Sequence, residues 1–413
     1  MGIRATPVII QLFQDLGRQR LRTALTVLGI AWGTTAVVTL LAFGTGLERQ
    51  MRRGARGLGD GIVILSPGRT TMSFAGFGIG RQIRLRAADA PLLVNEIPSI
   101  RSATAEYGRW TAVRREDRTT NVYVTGIDPI YGELRNIFPQ AGGRFIDDRD
   151  LMEQRRVLVL GNEIARFLFG DTDPVGQRIT IDQTPFVVIG IMAEKPQNSS
   201  YNARDQDRVF IPSTTYRGMF GEYYPARIIY APEDPTLSAA VATWVREALA
   251  RRHTFDASDE SAVYVWDTNE GMRIFTYIFL GFNIFLGIVG SFTLVVGGIG
   301  VANIMFVVVQ ERTWEIGLRR ALGAHRREIL LHTLAEAGLL VAIGAAIGMV
   351  IASAIVVVVG ALPIEEFVGT ATISPVVVAV TVALLGLVAL AAGLMPARRA
   401  ADLDPADALR QGA

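Results

Sequence analysis

The sequence predicts an integral membrane protein with four transmembrane α-helices and a large α+β extracytoplasmic domain between helices 1 and 2. Three observations carry this prediction. Four uncharged stretches, residues 23–47, 274–310, 337–364 and 367–397, are each long enough for the ~20 apolar residues with which a helix crosses a ~30 Å hydrocarbon core. One stretch lies near the N-terminus and three crowd at the C-terminus. Between the first and second lie about 225 mostly polar residues, with strand and helix periodicities alternating along them.

Residues 1–22 read as a cytoplasmic amphipathic helix that leads into the first span. That span, 23–47, is an anchor rather than a cleaved signal, because its apolar part far exceeds a 7–15-residue signal core and no small-x-small cleavage site follows. The domain at 48–273 contains short β-rich runs at 61–65, 121–125, 157–160, 178–181, 186–191, 209–211, 228–230 and 262–266. Its clearest helix is 236–252, where Leu237, Val241, Trp244, Val245, Ala248 and Leu249 recur at helical spacing after a Pro-containing acidic start. A domain of this size is large enough to build its own core, as two lobes. Its ends read as helical stalks. The stretch 274–310 would be roughly 55 Å long as a helix, well beyond the hydrocarbon thickness. A charged loop at 311–336, spans at 337–364 and 367–397, and a tail at 398–413 complete the chain.

Arginine sets the orientation. Arg4, Arg18, Arg20 and Arg22 precede the first span, Arg312, Arg319, Arg320, Arg326 and Arg327 lie between the second and third, and Arg398 and Arg399 follow the fourth, whereas the third-to-fourth loop carries only Glu365 and Glu366. The positive-inside rule then places both termini and the 311–336 loop in the cytoplasm and the large domain outside.

Composition narrows the function. A net charge of +2 over 413 residues leaves no basic surplus for nucleic acid. With no cysteine, the outer domain folds without disulfides and structural zinc patterns are excluded. Of 41 basic residues only Lys195 is a lysine, which reads as an arginine bias of composition. Lys195 sits in "IMAEKPQN" without the glycines of a Walker phosphate loop, so the chain does not hydrolyse ATP by that device. The "GFGIG" cluster at 76–80 reads as a loop. Three histidines and no GxSxG elbow leave neither a His-rich metal site nor a serine-hydrolase constellation. No catalytic, cofactor-binding or metal site is expected.

Within the spans there is no Asp, Glu, Lys, Arg or His, which argues against an ion-coupled pathway, since such pathways keep costly ionisable groups in the membrane. Small-residue spacing stands in their place: Gly29 and Gly33 in the first span and Gly344 and Gly348 in the third suit close helix contact, within the chain or between subunits. Asn283 and Asn303 are the expected interhelical hydrogen-bonding groups.

The most informative segment follows the second span: "GGIGVANIMFVVVQERTWEIGLRRALGAHRREILLHTLAEA", residues 297–337. A membrane helix runs into a charged helix, stops at "LGA" and restarts. Glu315 and Arg319 form an i,i+4 pair in the better orientation, and Gly323 is placed to end the helix at C′. Trp314, Ile316, Leu318, Ala321 and Leu322 add apolar surface. By physics alone this fits an amphipathic membrane-surface helix as well as a docking surface.

The segment resembles the permease subunits of the MacB/FtsX-type family of ABC transporters, whose hallmark here includes N-I-M and E-R-x-x-E-I-G-x-R-x-A-x-G-A. Gly298, Ile299, Gly300, Asn303, Ile304, Met305, Glu311, Arg312, Glu315, Ile316, Gly317, Arg319, Ala321, Leu322, Gly323 and Ala324 match. "RQRLRTALTVLGIAWG", "GGRF", "VLVLG", "LFGDTDPVGQRI", "FVVIGIM", "VFIP" and "PARRAADLDPADALR" extend the resemblance in order over nearly the whole chain. It implies two permease chains working with two ABC ATPases, ATP and Mg being bound by the ATPase and not by this chain. The coupling surface would comprise Glu311, Arg312, Glu315, Ile316, Gly317, Arg319, Arg320, Ala321, Leu322, Gly323 and Ala324.

ATP-driven motion would pass through long helices to the outer domain, a mode termed mechanotransmission, for export or extraction of amphiphilic cargo. The resemblance also implies a bacterial cytoplasmic (inner) membrane location, with a periplasmic adaptor and an outer-membrane duct as candidate further partners. Because the sequence begins directly at the helix before the first span, the ATPase is expected on a separate polypeptide. The alternative is an FtsX-like regulatory module that switches an extracytoplasmic partner such as a cell-wall hydrolase.

Overall fold

The computed structural model describes residues 20–362, 371–404 and 408. The amphipathic helix expected before residue 20, Glu365 and Glu366, and most of the tail after 404 lie outside these residues. The chain divides into two compact units, Met51–Thr276 and Met1–Gln50 with Tyr277–Ala413.

Among the described residues, four helices are long and apolar enough to cross a membrane by length and composition. In chain order they are α1 (Arg20–Arg56), α8 (Thr268–Glu311), α10 (Arg326–Gly360) and α11 (Pro375–Ala401). Both α1 and α8 outrun their apolar stretches. At 44 residues, α8 measures roughly 66 Å at 1.5 Å per residue, about twice the hydrocarbon thickness. Helix α11 starts where Ser374 caps it, the hydroxyl accepting the Val377 N–H, with Pro375 in the first turn.

These helices approach at glycines. A Cβ on Gly33 would meet Leu294 of α8 at 3.0 Å, and one on Gly29 would meet Gly297 at 3.8 Å. Across the other side of α1, a Cβ on Gly344 would fall 2.7 Å from Ile30 and one on Gly348 2.5 Å from the Ala31 carbonyl oxygen. Thr35 Oγ1 donates to Gly348 O at 3.1 Å. The small-residue spacing of both spans is therefore used inside the chain, α1 lying between α8 and α10. Around these contacts Ile30, Val37, Leu41, Leu294, Val301, Leu340 and Val341 form the membrane-unit core.

The other unit is α+β, as its sequence predicts. Its strands are β1 (Val63–Pro67), β2 (Ile100–Arg115), β3 (Arg118–Ile127), β4 (Val157–Leu160), β5 (Arg178–Ile181), β6 (Thr184–Ile191), β7 (Arg208–Pro212), β8 (Arg227–Pro232) and β9 (Val263–Asp267). Among them lie α2 (Asp89–Glu96), α3 (Ile130–Leu134), α4 (Asp148–Met152), α5 (Asn162–Phe169), α6 (Ser213–Phe220) and α7 (Ser238–His253).

The sheet order is β3-β7-β4-β6-β5-β2-β8-β1-β9, and β2 also pairs with β3. Six strands thus close on themselves while β2-β8-β1-β9 continues as an open sheet, giving two lobes. Strand β2 serves both. Residues 100–106 pair antiparallel with β8, and residues 107–115 pair with β3. One lobe buries Val63, Leu65, Leu93, Tyr230, Val245 and Leu249, and the other Val122, Val124, Leu158, Leu168, Ile181 and Val209.

Strand β2 was not marked by sequence periodicity. Where it crosses between the lobes, Thr104, Ala105, Glu106 and Tyr107 are all buried, and Arg101, Arg109, Arg114 and Arg115 interrupt the alternation. The Glu106 carboxylate is balanced by the Tyr131 hydroxyl at 2.8 Å, the Tyr201 hydroxyl and the guanidiniums of Arg227 and Arg208 at 3.6 and 3.8 Å. A two-residue apolar period does not register a strand built this way.

Candidate functional site

After 44 residues the helical ladder of α8 changes direction at Arg312, whose backbone leaves the α region (φ −96°, ψ 12°). The Thr313 hydroxyl donates back to Gln310 O at 2.8 Å and Val309 O at 3.1 Å, the type of back-bonding that bends helices. Helix α9 (Thr313–Ala321) begins at once. It ends in a Schellman motif, with Ala324 N–H donating to Arg319 O at 3.0 Å and Gly323 N–H to Arg320 O at 3.1 Å. Gly323 stands at φ +99°, a conformation that disfavours a Cβ. Glu328 then accepts the His325 N–H at 3.2 Å and opens α10.

The residues expected here divide between two faces of α9. Ile316 and Ala324 pack with Val309, Ile329, Leu330, Ala400 and Ala401 in a small core joining the ends of α8, α10 and α11. Gly317 is buried, and a Cβ on it would lie 2.5 Å from the Ala408 Cβ. Arg320 donates to Ala401 O at 3.1 Å. These inward residues hold the helix in place.

Arg312 is also internal, its guanidinium meeting Glu336 at 2.9 Å, while His332 Nδ1 approaches the same oxygen at 3.4 Å. Glu336 is buried. Removing one partner of so enclosed a pair leaves an uncompensated charge, at a cost of about 3–5 kcal/mol. The pair therefore fixes the bend against α10.

The outward face carries Trp314, Leu318 and Leu322, 48, 38 and 80 % exposed, at a spacing of four that places them along one side of the helix. Glu311, Glu315, Arg319, Ala321 and Gly323 are exposed beside them. Glu315 is directed to Arg312, at 3.9 Å across three residues, rather than to the Arg319 suggested by spacing. The bend rotates Arg312 toward it. An apolar stripe flanked by the acidic Glu311 and Glu315 and the basic Arg319, on a helix fixed from behind, is equipped to seat in a complementary groove.

The two asparagines differ. Asn283 packs where Gly44 of α1 leaves room, and its amide lies 3.5 Å from Glu48. Asn303 departs from the expectation: it is exposed and its side chain makes no hydrogen bond among the described residues. Its neighbours Val301, Ile304 and Met305 occupy the buried face of α8, so position 303 points away from the other helices of the chain.

Comparison with known proteins agrees over both units. The MacB-like periplasmic core domain matches residues 23–248, and the FtsX-like permease C-terminal domain matches residues 287–405. The chain is 31 % identical over 403 residues to the macrolide export ATP-binding/permease protein MacB of Bdellovibrio bacteriovorus, covering 96 % of this chain and 60 % of that protein. It is 33 % identical over 397 residues to the pyoverdine export ATP-binding/permease protein PvdT of Pseudomonas aeruginosa, covering 94 % and 56 %.

The chain thus spans about 60 % of the length of such relatives. Among solved structures, the periplasmic region of MacB from Actinobacillus actinomycetemcomitans covers 54 % of this chain and 95 % of its own, at 16 % identity and a TM-score of 0.43. With matches over both units and four helices of membrane-spanning length and composition, the chain belongs to the MacB/FtsX-type family of ABC transporter permeases.

Proposed function

We propose that the chain is the membrane-spanning part of an ATP-driven exporter in which α9 is the coupling helix, docking through Trp314, Leu318 and Leu322 on an ABC ATPase. The observation that carries this reading is the division of α9 into a packed inner face and an exposed apolar stripe. In a cytoplasmic loop such a stripe calls for a partner. Relatives named for export of macrolides and of pyoverdine support an export role, and the cargo class proposed is amphiphilic. ATP and Mg would be held by the ATPase.

By the positive-inside argument α9 and both termini face the cytoplasm, and the α+β domain lies outside, where a periplasmic adaptor and outer-membrane duct would act. A second permease chain would pair along α1 and α8, which expose Leu25, Trp32, Phe292 and Val296 around an apolar groove. Force would travel by mechanotransmission. Helices α1 (Arg20–Arg56) and α8 (Thr268–Glu311) are each unbroken and longer than their apolar stretches, and the spans offer no ionisable pathway.

The test is Leu322→Asp together with Glu315→Arg. Both side chains are exposed, so folding changes by less than about 0.5 kcal/mol, whereas a wrongly signed charge in a docked interface costs several kcal/mol. The expected outcome is normal insertion and a folded outer domain, with loss of ATPase association and of transport. Undiminished association and transport would reduce α9 to a membrane-surface helix.

A further inference from the structure

The chain has 41 basic residues and only one lysine, and the structure gives that lysine a place of its own. Lys195 lies in the segment between β6 and β7, 12 % exposed. Its ammonium donates to Arg135 O at 2.6 Å and stands 2.8 Å from Asp205 Oδ2. The same carboxylate takes the Arg135 guanidinium at 2.7 Å, both side chains being fully buried. A compact ammonium can serve a carbonyl and a carboxylate in one slot, whereas a planar guanidinium needs a wider fork of acceptors.

Two loops meet at this point, and both grip the C-terminal end of α1. Asn198 N–H donates to Gly54 O at 3.1 Å, and Asn136 Nδ2 donates to Arg56 O at 3.2 Å. Main chain lies against main chain. A Cβ on Gly57 would strike Pro196 O, and one on Gly59 would strike Leu134 O. Just beyond, Leu58 and Ile62 enter the core formed by Tyr131, Leu134, Ile137 and Phe210. The loops at 134–137 and 195–199 are distant in sequence. Lys195 ties them, supported by Gln197, whose side-chain oxygen accepts the Asp205 N–H at 3.0 Å.

From Asp205 the network continues to Arg208 at the start of β7, at 3.8 Å, and through Arg208 to Glu106 of β2. The groups facing Lys195 are thus Asp205, Arg135 and Arg208. Burial, with the two guanidiniums, brings its pKa down to about 8 against the attraction of Asp205. Burial would raise the Asp205 carboxyl, but Arg135, Lys195 and Arg208 hold it below the usual range.

We infer that Lys195 is the pin of a socket in which the outer domain holds the end of α1, a positioning residue that joins this helix to the sheet. This role rests on the proposed mechanotransmission. With the pin in place, displacement of α1 carries both loops and, through Asp205 and Arg208, strands β7 and β2. Without it, α1 can move while the sheet stays behind.

The experiment compares the full chain with Lys195→Met and Asn136→Gly, each assembled with its ATPase. Asn136→Gly removes one grip on Arg56 without touching the buried charges, and glycine retains the left-handed backbone of position 136 (φ +52°). Hydrogen exchange reads the socket directly. In Lys195→Met the amides of Gly57, Gly59 and Asn198 should exchange at least ~10-fold faster, while those of β2 and β7 remain protected.

ATP-dependent change in the distance between spin labels on the outer domain and on α1 reads transmission. The shift should shrink in both variants while basal ATP hydrolysis persists. Unchanged exchange at those three amides in Lys195→Met, or a full ATP-dependent shift despite faster exchange, would overturn the inference and leave the coupling-helix reading standing. A shift absent from the unsubstituted chain would overturn mechanotransmission itself, and the role of the pin with it.

Discussion

Gly348→Ala isolates the contact that holds α1 against α10. The added methyl would stand 2.5 Å from the Ala31 carbonyl oxygen and 2.7 Å from the Thr34 Cβ, about 1 Å inside ordinary contact, so the helices must part. Overpacking of this kind costs about 1–3 kcal/mol. Separation also weakens the 3.1 Å bond from Thr35 Oγ1 to Gly348 O, worth about 0.6 kcal/mol in a membrane helix.

Against this, alanine gains up to ~1 kcal/mol of helix propensity over glycine. That gain is measured separately by Gly386→Ala on α11, where a Cβ meets nothing within 4 Å. The two variants should therefore differ by about 2–3 kcal/mol, with Gly348→Ala the less stable, a factor of ~30–150 in the unfolding constant. Equilibrium unfolding of the purified chain in mixed detergent micelles, followed by tryptophan fluorescence, reads the difference. Equal stability of the two variants would refute the packing of Gly348 on α1. If Gly348→Ala instead altered only the association of two chains, the glycine would belong to an interface between subunits.

Further outcomes follow from the same contacts. Gly317→Ala should displace the tail at Ala408, whose Cβ lies 2.5 Å from the added methyl, and raise proteolytic sensitivity after Asp404, with Ala408→Gly restoring protection. Lys195 has a folded pKa of about 8 against 10.5 for the free side chain, so between pH 8 and 10 the unfolded chain binds more protons and stability rises with pH by about 2 kcal/mol. Above pH 10 the trend reverses, because burial raises the pKa of Tyr131, Tyr201 and Tyr230 and the unfolded chain loses those protons first. Lys195→Met should abolish the rise and leave the fall. Cysteine in place of Ser258, which is exposed on the α+β domain, should react with an impermeant maleimide in intact spheroplasts, whereas Leu322→Cys should react only after lysis. The reverse pattern would invert the topology.

Four spans, eight of nine strands, helix α7 and the end of α9 at Gly323 are written in the sequence. Each depends on a pattern confined to neighbouring residues: a run without charge, an alternation of two, a spacing of 3.6, a glycine at a helix end. The site was legible to the same extent. Spacing marked residues 311–324 as a charged amphipathic helix, but assigned Glu315 to Arg319, because it could not register the turn of the chain at Arg312. Only the tertiary structure separated Gly317 and Arg320, which hold α9 from behind, from Leu318 and Leu322, which it presents.

Packing likewise assigned Gly344 and Gly348 to α1, turned Asn303 outward and ran β2 through two lobes with a carboxylate at its centre. It also took a lysine that looked like an accident of composition and set it between Arg135 and Asp205. The physical reason is common to all of these. Burial and partnership join residues tens to hundreds of positions apart, and the free energy of such a contact depends on what the fold brings beside a side chain, which no local period encodes.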